Sequence, residues 1–354
     1  MVGAPGESFI REEGEARKLP LVSLFSRDAR THGLFRTAWE RAIDELAIDR
    51  TAYLRRSGPA GAMRHVAAFQ QASSSLRIVF GTSEIAMLAP FARREDTLVF
   101  TGLGRLLQAE GMRSRLMRRY LRAMDRGQTI VVLNRDDRDL MRGLFGRDVE
   151  LLPGEGYRFE RPVRPLREPG PLRVAYAGRL LLSKRVDVLI EACAAPEASF
   201  RLLLMGDLDF GNADAIDANW LRAKISASAG RIEHVGFVHD VRSRLAETDV
   251  YVSLSEREGL PFGVLDAIDA GCALLLTDVA GHREFAGEPG VEFVTPDAAM
   301  LRAKLTSLAP GASSVLSFDG DARRTSCEQK FGFETVVVRI GELISRRLRE
   351  RMER

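Results

Sequence analysis

Short apolar runs alternate along this chain with stretches in which apolar positions recur every three to four residues. Runs at 20–25, 76–80, 97–101, 129–133 and 149–152 predict strands, and the stretches between them, beginning with 34–48, predict helices. After residue 170 the pattern restarts, with runs at 173–177, 200–205, 232–235, 250–254, 273–277 and 291–294. Strands alternating with helices predict parallel sheets covered on both faces. Between the two series, Pro153, Gly154, Gly156, Pro162, Pro165, Pro169 and Gly170 interrupt every periodicity. The pattern predicts an α/β chain of two Rossmann-like domains with a cleft between them. A tail covers 1–18, a first domain 19–160, a linker 161–170, a second domain 171–329, and a helix over 330–354 packs back toward the first domain. Ligands of such sheets bind beyond the carboxyl ends of the strands.

Composition narrows the class. With 354 residues and 45% hydrophobic positions the chain fills two cores. No apolar run reaches the ~18 residues of a spanning helix, and residues 1–18 lack the apolar stretch of a signal peptide. Cys193, Cys272 and Cys327 form no CxxC spacing, which points to a reducing cytoplasm and no cysteine zinc site. His32, His65, His234, His239 and His282 are not spaced as zinc ligands on a helix. The net charge of +3 hides an asymmetry: residues 1–170 carry 29 basic and 22 acidic side chains, residues 171–329 carry 16 and 23, and residues 330–354 carry 7 and 4. Segregation of this kind suits a molecule with one face toward an anionic surface.

Three loops of the second domain bring chemistry to strand ends. Gly178, Arg179 and Lys184 follow the run at 173–177, placing two cations where a diphosphate leaving group would need fixed positive partners. Alone, such a turn equally suits two ordinary surface cations. The segment from Glu258 through Gly259, Leu260, Pro261, Phe262, Gly263 and Val264 to Asp266 is a tight loop opening a helix. The helix's positive end makes an anion site, and its two carboxylates could accept sugar and ribose hydroxyls. Gly281 and Glu284 form a third turn, with Glu284 beginning a helix. The backbone of Gly236, Phe237 and Val238 could pair with a nucleobase edge.

With a Gly206-Asp207 turn, these elements over 174–284 resemble the nucleotide-sugar-binding domain of the retaining, family 4 (group 1) glycosyltransferases of GT-B fold. The resemblance implies that Arg179 and Lys184 hold the donor diphosphate. It gives the donor sugar to Glu258 and the 259–263 backbone, and puts Asp266 where the family has a ribose-binding glutamate. It also implies no cofactor and no metal. In the first domain His32 and Gly33 stand in a glycine-poor version of the family's first loop, with Thr101 and Gly102 as further acceptor-side candidates. Thr101-Gly-Leu-Gly104, Asn134-Arg-Asp136-Asp137 and Pro153-Gly-Glu-Gly156 are similar to stretches of the subgroup that extends polyprenyl-diphosphate-linked glycans.

One helix stands apart from that resemblance. Arg115, Arg118, Arg119, Arg122 and Arg126 share one side of a predicted helix over 105–126, with Leu116, Met117, Tyr120, Leu121 and Met124 opposite. The stripe suits a solvated face, a dock for anionic lipid headgroups, or the diphosphate of an acceptor. It lacks the interleaved aromatics of a nucleic-acid surface. The combined expectation is a cytoplasmic enzyme, peripheral on the inner membrane face, that moves a sugar from a nucleotide sugar to a lipid-linked or other glycan acceptor. Competing expectations are a non-catalytic partner subunit, or an epimerase or phosphorylase on the same fold.

Overall fold

In the computed structural model of this chain the described residues are 21–26, 33–54, 58–104, 107, 111–154, 156–165, 170–308 and 317–353. The tail over 1–18, His32 and residues 166–169 of the linker lie outside them. The first sheet contains β1 (Leu21–Ser26), β2 (Asp49–Leu54), β3 (Leu76–Phe80), β4 (Thr97–Phe100), β5 (Thr129–Val132) and β6 (Glu150–Leu151). They are parallel and ordered β2-β1-β3-β4-β5-β6. Helices α1 (Gly33–Glu45), α2 (Pro59–Gln71), α3 (Thr82–Leu88), α4 (Met112–Ala123) and α5 (Arg135–Phe145) accompany it. Every residue of β3 and β4 is buried, as central strands under two helical layers require, Arg77 among them through its pairing with Asp96.

The run pattern does not reveal β2. Its Asp49 and Arg50 are those of an edge strand that pairs only with β1. Arg50 is satisfied from α1, by Glu40 at 3.1 Å and Asp44 at 2.8 Å.

The second sheet contains β7 (Leu172–Ala177), β8 (Phe200–Met205), β9 (Ile232–His234), β10 (Val250–Ser253), β11 (Ala273–Leu276) and β12 (Val291–Phe293). Around it lie α6 (Val186–Ala194), α7 (Ala218–Ala227), α8 (Val241–Ala246), α9 (Phe262–Asp269), α10 (Ala280–Arg283), α11 (Ala298–Ser307) and α12 (Gly320–Phe331). The order β12-β11-β10-β7-β8-β9, again parallel, seats β7 beside β10. Connections run to opposite sides from these two strands, so their carboxyl ends open a crevice.

The last helix, α13 (Phe333–Met352), belongs to the first domain's core. Phe333, Val336, Val337, Ile340, Leu343 and Ile344 form one helical stripe buried with Trp39 and Ile43 of α1. At about 1.5–3 kcal/mol per fully buried apolar side chain, the helix is integral to that core. The chain crosses between domains twice, and the crossings touch. Tyr157 N–H donates to the Phe331 carbonyl at 2.8 Å, and Phe333 N–H to the Tyr157 carbonyl at 2.9 Å. Beyond Tyr157 the chain is strapped to the second domain: Asp269 accepts from the Glu160 and Arg161 amides, and Arg164 reaches the Thr248 and Gly271 carbonyls.

The arginine helix differs from its sequence pattern. Arg118 is half-buried and donates through Nε to the Leu107 carbonyl at 2.9 Å, while Arg126 reaches the Ala92 and Pro90 carbonyls. The exposed face of α4 therefore carries Arg115, Arg119 and Arg122. Met112 and Leu116 are exposed beside them, so Leu116 does not join the inner stripe. Among the described residues no helix is long and apolar enough to cross a membrane.

Candidate functional site

At the β7–β10 crevice a cavity of about 230 Å³ is lined by Gly178, Arg179, Lys184, Ser253, Ser255, Glu258, Pro261, Phe262 and Gly263, with Tyr176, Ala177 and Tyr251 beneath. Glu258 is its focus. Oε1 faces Lys184 Nζ at 2.5 Å and accepts from Ser255 Oγ at 2.6 Å. Lys184 sits in a single 3₁₀ turn, tethered because Glu256 N–H donates to the Ser183 carbonyl. Arg179 is 65% exposed and pairs with Asp209 at 3.0 Å, so its charge stands at the rim. The α9 helix begins at Phe262 directly against the cavity, adding the partial positive charge of a helix N-terminus.

Two tyrosines stiffen the floor. Tyr176 Oη donates to the Arg179 carbonyl and Tyr251 Oη to the Ala177 carbonyl. Burial raises both phenols well above their usual range, Glu258 adding to the effect, so both remain protonated donors. Neighbouring strand ends are laced together: Gly178 N–H donates to the Met205 carbonyl and Gly206 N–H to the Gly236 carbonyl. Gly206 has φ 137°, and a side chain there would overlap the Gly178 carbonyl. Beyond them Phe237 is exposed, edge-on to His239, while Val238 packs partly into the core.

His282 closes the back of the site. It is fully buried; Nδ1 lies 2.8 Å from the Thr277 carbonyl and Nε2 lies 3.1 Å from Ser253 Oγ. Burial lowers its pKa, with Lys184 acting in the same sense and Glu258 in the opposite one.

Gly178, Arg179, Lys184, Glu258, Pro261, Phe262 and Gly263 are thus brought together. Leu260 and Val264 are buried just behind them. Asp266 is not in the lining. Its Oδ1 accepts from Tyr157 Oη at 2.6 Å, with Arg242 4.0 Å away. Burial raises the Asp266 carboxyl above its usual range, against the lowering pull of Tyr157 and Arg242. Glu284 follows the last residue of α10 rather than beginning a helix, and its buried carboxylate accepts from Arg135 N–H of the first domain at 2.7 Å. Gly281 donates to the Glu258 carbonyl at 3.2 Å. On the opposite wall Thr101 and Gly102 lie against Gly259, and Thr82 Oγ1 holds the Gly102 carbonyl. Gly33 starts α1. Among the described residues no three His, Cys, Asp or Glu side chains are grouped as metal ligands.

Sequence reasoning misses Ser253, Ser255, Tyr176, Tyr251 and Tyr157. Ser255 carries a usable signal, a hydroxyl three residues before a loop glutamate. Tyr176 and Tyr251 lie within apolar runs, where they read as core, and Tyr157 lies in the Pro- and Gly-rich stretch that reads as a connection between domains.

Residues 171–309 match the family described as Glycosyl transferases group 1. "Putative glycosyltransferase EpsD" of Bacillus subtilis (strain 168) is 31% identical over 200 residues, covering 51% of this chain and 51% of that protein. The chain thus spans about half the length of this relative. Among solved structures, Anabaena HepE in complex with UDP has a TM-score of 0.71 at 16% identity, over 92% of this chain and 100% of that one. Sucrose-phosphate synthase from Thermosynechococcus elongatus has 0.71 at 16%, over 92% and 98%. The lipopolysaccharide outer core galactosyltransferase WaaB, in its apo form, has 0.67 at 14%, over 92% and 99%. At these identities the structures show the fold. The chain therefore has the GT-B fold, two Rossmann-like domains facing a cleft, and carries its match to the group 1 glycosyltransferases within the second of them.

Proposed function

We propose that this protein is a glycosyltransferase that moves a sugar from a nucleotide-diphosphate sugar to a glycan acceptor in surface polysaccharide synthesis. The observation that carries this reading is the convergence of Lys184, Glu258 and the start of α9 on one cavity at the β7–β10 crevice, with Arg179 at its rim. The family match over 171–309 and the UDP held by HepE support the same reading. The cavity is smaller than the about 300–1,000 Å³ of pockets that enclose drug-sized ligands. It suits the sugar–diphosphate end of a donor, leaving the nucleoside along the strand ends near Phe237 and Val238.

In this reading Lys184 and Arg179 stabilise the negative charge that develops on the departing diphosphate, together with the α9 amides. Glu258 accepts hydroxyls of the donor sugar. The cleft holds the acceptor hydroxyl close to the anomeric carbon. Fixed cations occupy the place where a divalent ion would otherwise act, so transfer is metal-independent, and it retains anomeric configuration as the resemblance implies. The acceptor is a glycan on a polyprenyl diphosphate at the inner membrane face. Arg115, Arg119 and Arg122, with Met112 and Leu116 exposed among them, suit contact with an anionic lipid surface.

A thermal-shift panel of nucleoside diphosphates, followed by radiolabelled sugar transfer to membrane lipid extracts, tests the reading. One nucleotide should stabilise the protein, by about 2.7 kcal/mol at a hundredfold excess over Kd, and its sugar conjugate should label the extract. Saturable nucleotide binding without transfer, but with activation of another transferase, would instead support a non-catalytic partner subunit. The engagement of Asp266 by Tyr157 and of Glu284 by Arg135 is the observation that favours this second reading.

A further inference from the structure

The Asn-Arg-Asp-Asp stretch at 134–137 has no part in the chemistry above, yet it makes a dense set of contacts between the two domains. We propose that this first turn of α5 is a clamp that positions the Glu258 loop of the opposite domain, with Asn134 as a positioning residue for transfer. The proposal rests on the glycosyltransferase reading.

The orientation of Asn134 is fixed by its own helix. Its Oδ1 accepts from Asp137 N–H at 2.8 Å, and its Nδ2 donates to Asp137 Oδ2 at 2.9 Å. Flipping the amide would set oxygen against the carboxylate, so Nδ2 must face outward. There it donates to the Gly259 carbonyl at 3.0 Å, across the cleft and 125 residues away in sequence. The Gly259 carbonyl is hemmed in on a second side, because a Cβ on Gly281 would come within 2.5 Å of it. The preceding carbonyl, of Glu258, accepts from Gly281 N–H. Both peptide oxygens after the Glu258 side chain are therefore engaged, and one of the two bonds comes from the other domain. Gly259 itself must be glycine: a Cβ would lie 2.6 Å from the Thr101 carbonyl oxygen.

Two neighbouring contacts hold the same turn. Arg135 N–H, at the positive end of α5, donates to Glu284 Oε1 at 2.7 Å. Arg283 Nη1 meets Asp136 Oδ2 at 2.6 Å, while its Nε holds Asp278. The turn thus touches both donor-side loops, at 259 and at 283–284. The backbone that carries Glu258 takes its working geometry only while the domains are engaged.

Two sets of variants test this in the full chain. Asn134→Ser keeps a good helix cap but lacks an amide that reaches Gly259. It should lower kcat about 10- to 100-fold while moving nucleoside diphosphate Kd by less than about threefold and leaving Tm near wild type. Asp136→Arg and Arg283→Asp should each lower kcat and increase the radius of gyration measured by small-angle X-ray scattering. The double exchange should restore both in part. An Asn134→Ser enzyme with kcat within twofold of wild type, or a double exchange no better than either single variant, overturns the clamp. If no donor supports transfer at all, the glycosyltransferase reading fails instead, and the scattering comparison still decides whether the turn holds the domains together.

Discussion

Glu258 pairs with Lys184, so the residue assigned to the donor sugar also opposes the donor's diphosphate. Glu258→Gln should therefore tighten binding of a bare nucleoside diphosphate while slowing transfer. Lys184 Nζ and Glu258 Oε1 are 2.5 Å apart, with side chains 24% and 14% exposed. A diphosphate charge about 5 Å from the carboxylate would be repelled by roughly 3 kcal/mol at an effective dielectric constant of 20. Partial exposure and salt reduce this to about 1–2 kcal/mol, a gain of about five- to thirtyfold in affinity for the glutamine variant. Glutamine still accepts from Ser255, so the loop keeps one of its bonds. Titration calorimetry with UDP and the other nucleoside diphosphates at 0.15 M salt reads the affinity directly. Transfer by the same variant should fall by about 10²–10³, the scale of losing one placed electrostatic partner. Weaker nucleotide binding by Glu258→Gln, or unchanged transfer, would refute the reasoning that the two charges share one site.

Three other expectations follow from the same geometry. His282 has a lowered pKa, so its stabilising contribution is present above the unfolded value near 6.5 and is lost as pH falls through the folded value. Urea melts between pH 7 and 5 should show a slope of up to about 1.4 kcal/mol per pH unit that His282→Gln flattens. Arg77 and Asp96 form a bidentate ion pair at 2.8 and 2.6 Å, each side chain 2% exposed. Arg77→Met should cost about 3–5 kcal/mol in chemical denaturation, partly regained at low pH because burial already raises the Asp96 carboxyl, and an apolar replacement of both should recover most of the loss. Replacing Arg115, Arg119 and Arg122 with glutamine should weaken binding to anionic vesicles by about 3 kcal/mol, roughly a hundredfold. Wild-type binding should itself fall with added salt, and equal vesicle binding by the variant would remove α4 from the membrane.

The second domain is the more legible half of the sequence. Its strands are short, largely apolar runs with a turn after each, two of them, β10 and β11, buried throughout, so hydrophobicity marks them, and the cations and carboxylate of the cavity sit at fixed offsets beyond those runs. In the first domain the edge strand β2 escapes notice because one neighbour suffices for its hydrogen bonds and its charges are met by α1. On α4 the sequence period is right but the depth is not: Arg118 and Arg126 bend back to carbonyls, and Leu116 is left outside. The roles of Asp266 and Glu284 are the least legible. A carboxylate on a donor-side element reads as a hydroxyl acceptor until its actual partner is known, and those partners, Tyr157 and Arg135, lie 109 and 149 residues away. Local spacing carries no information about such pairs.

The return of α13 also dictates an order of assembly. Every strand and helix of the second domain is synthesised before Phe333, whereas the first domain lacks one wall of its core until α13 arrives. During translation the later domain can therefore close on itself first, as an insertion inside a neighbour that is still open. The first domain then holds an uncovered apolar face over Trp39 and Ile43 for the time it takes to make the intervening residues, and that interval is when the nascent chain is most exposed to misassociation.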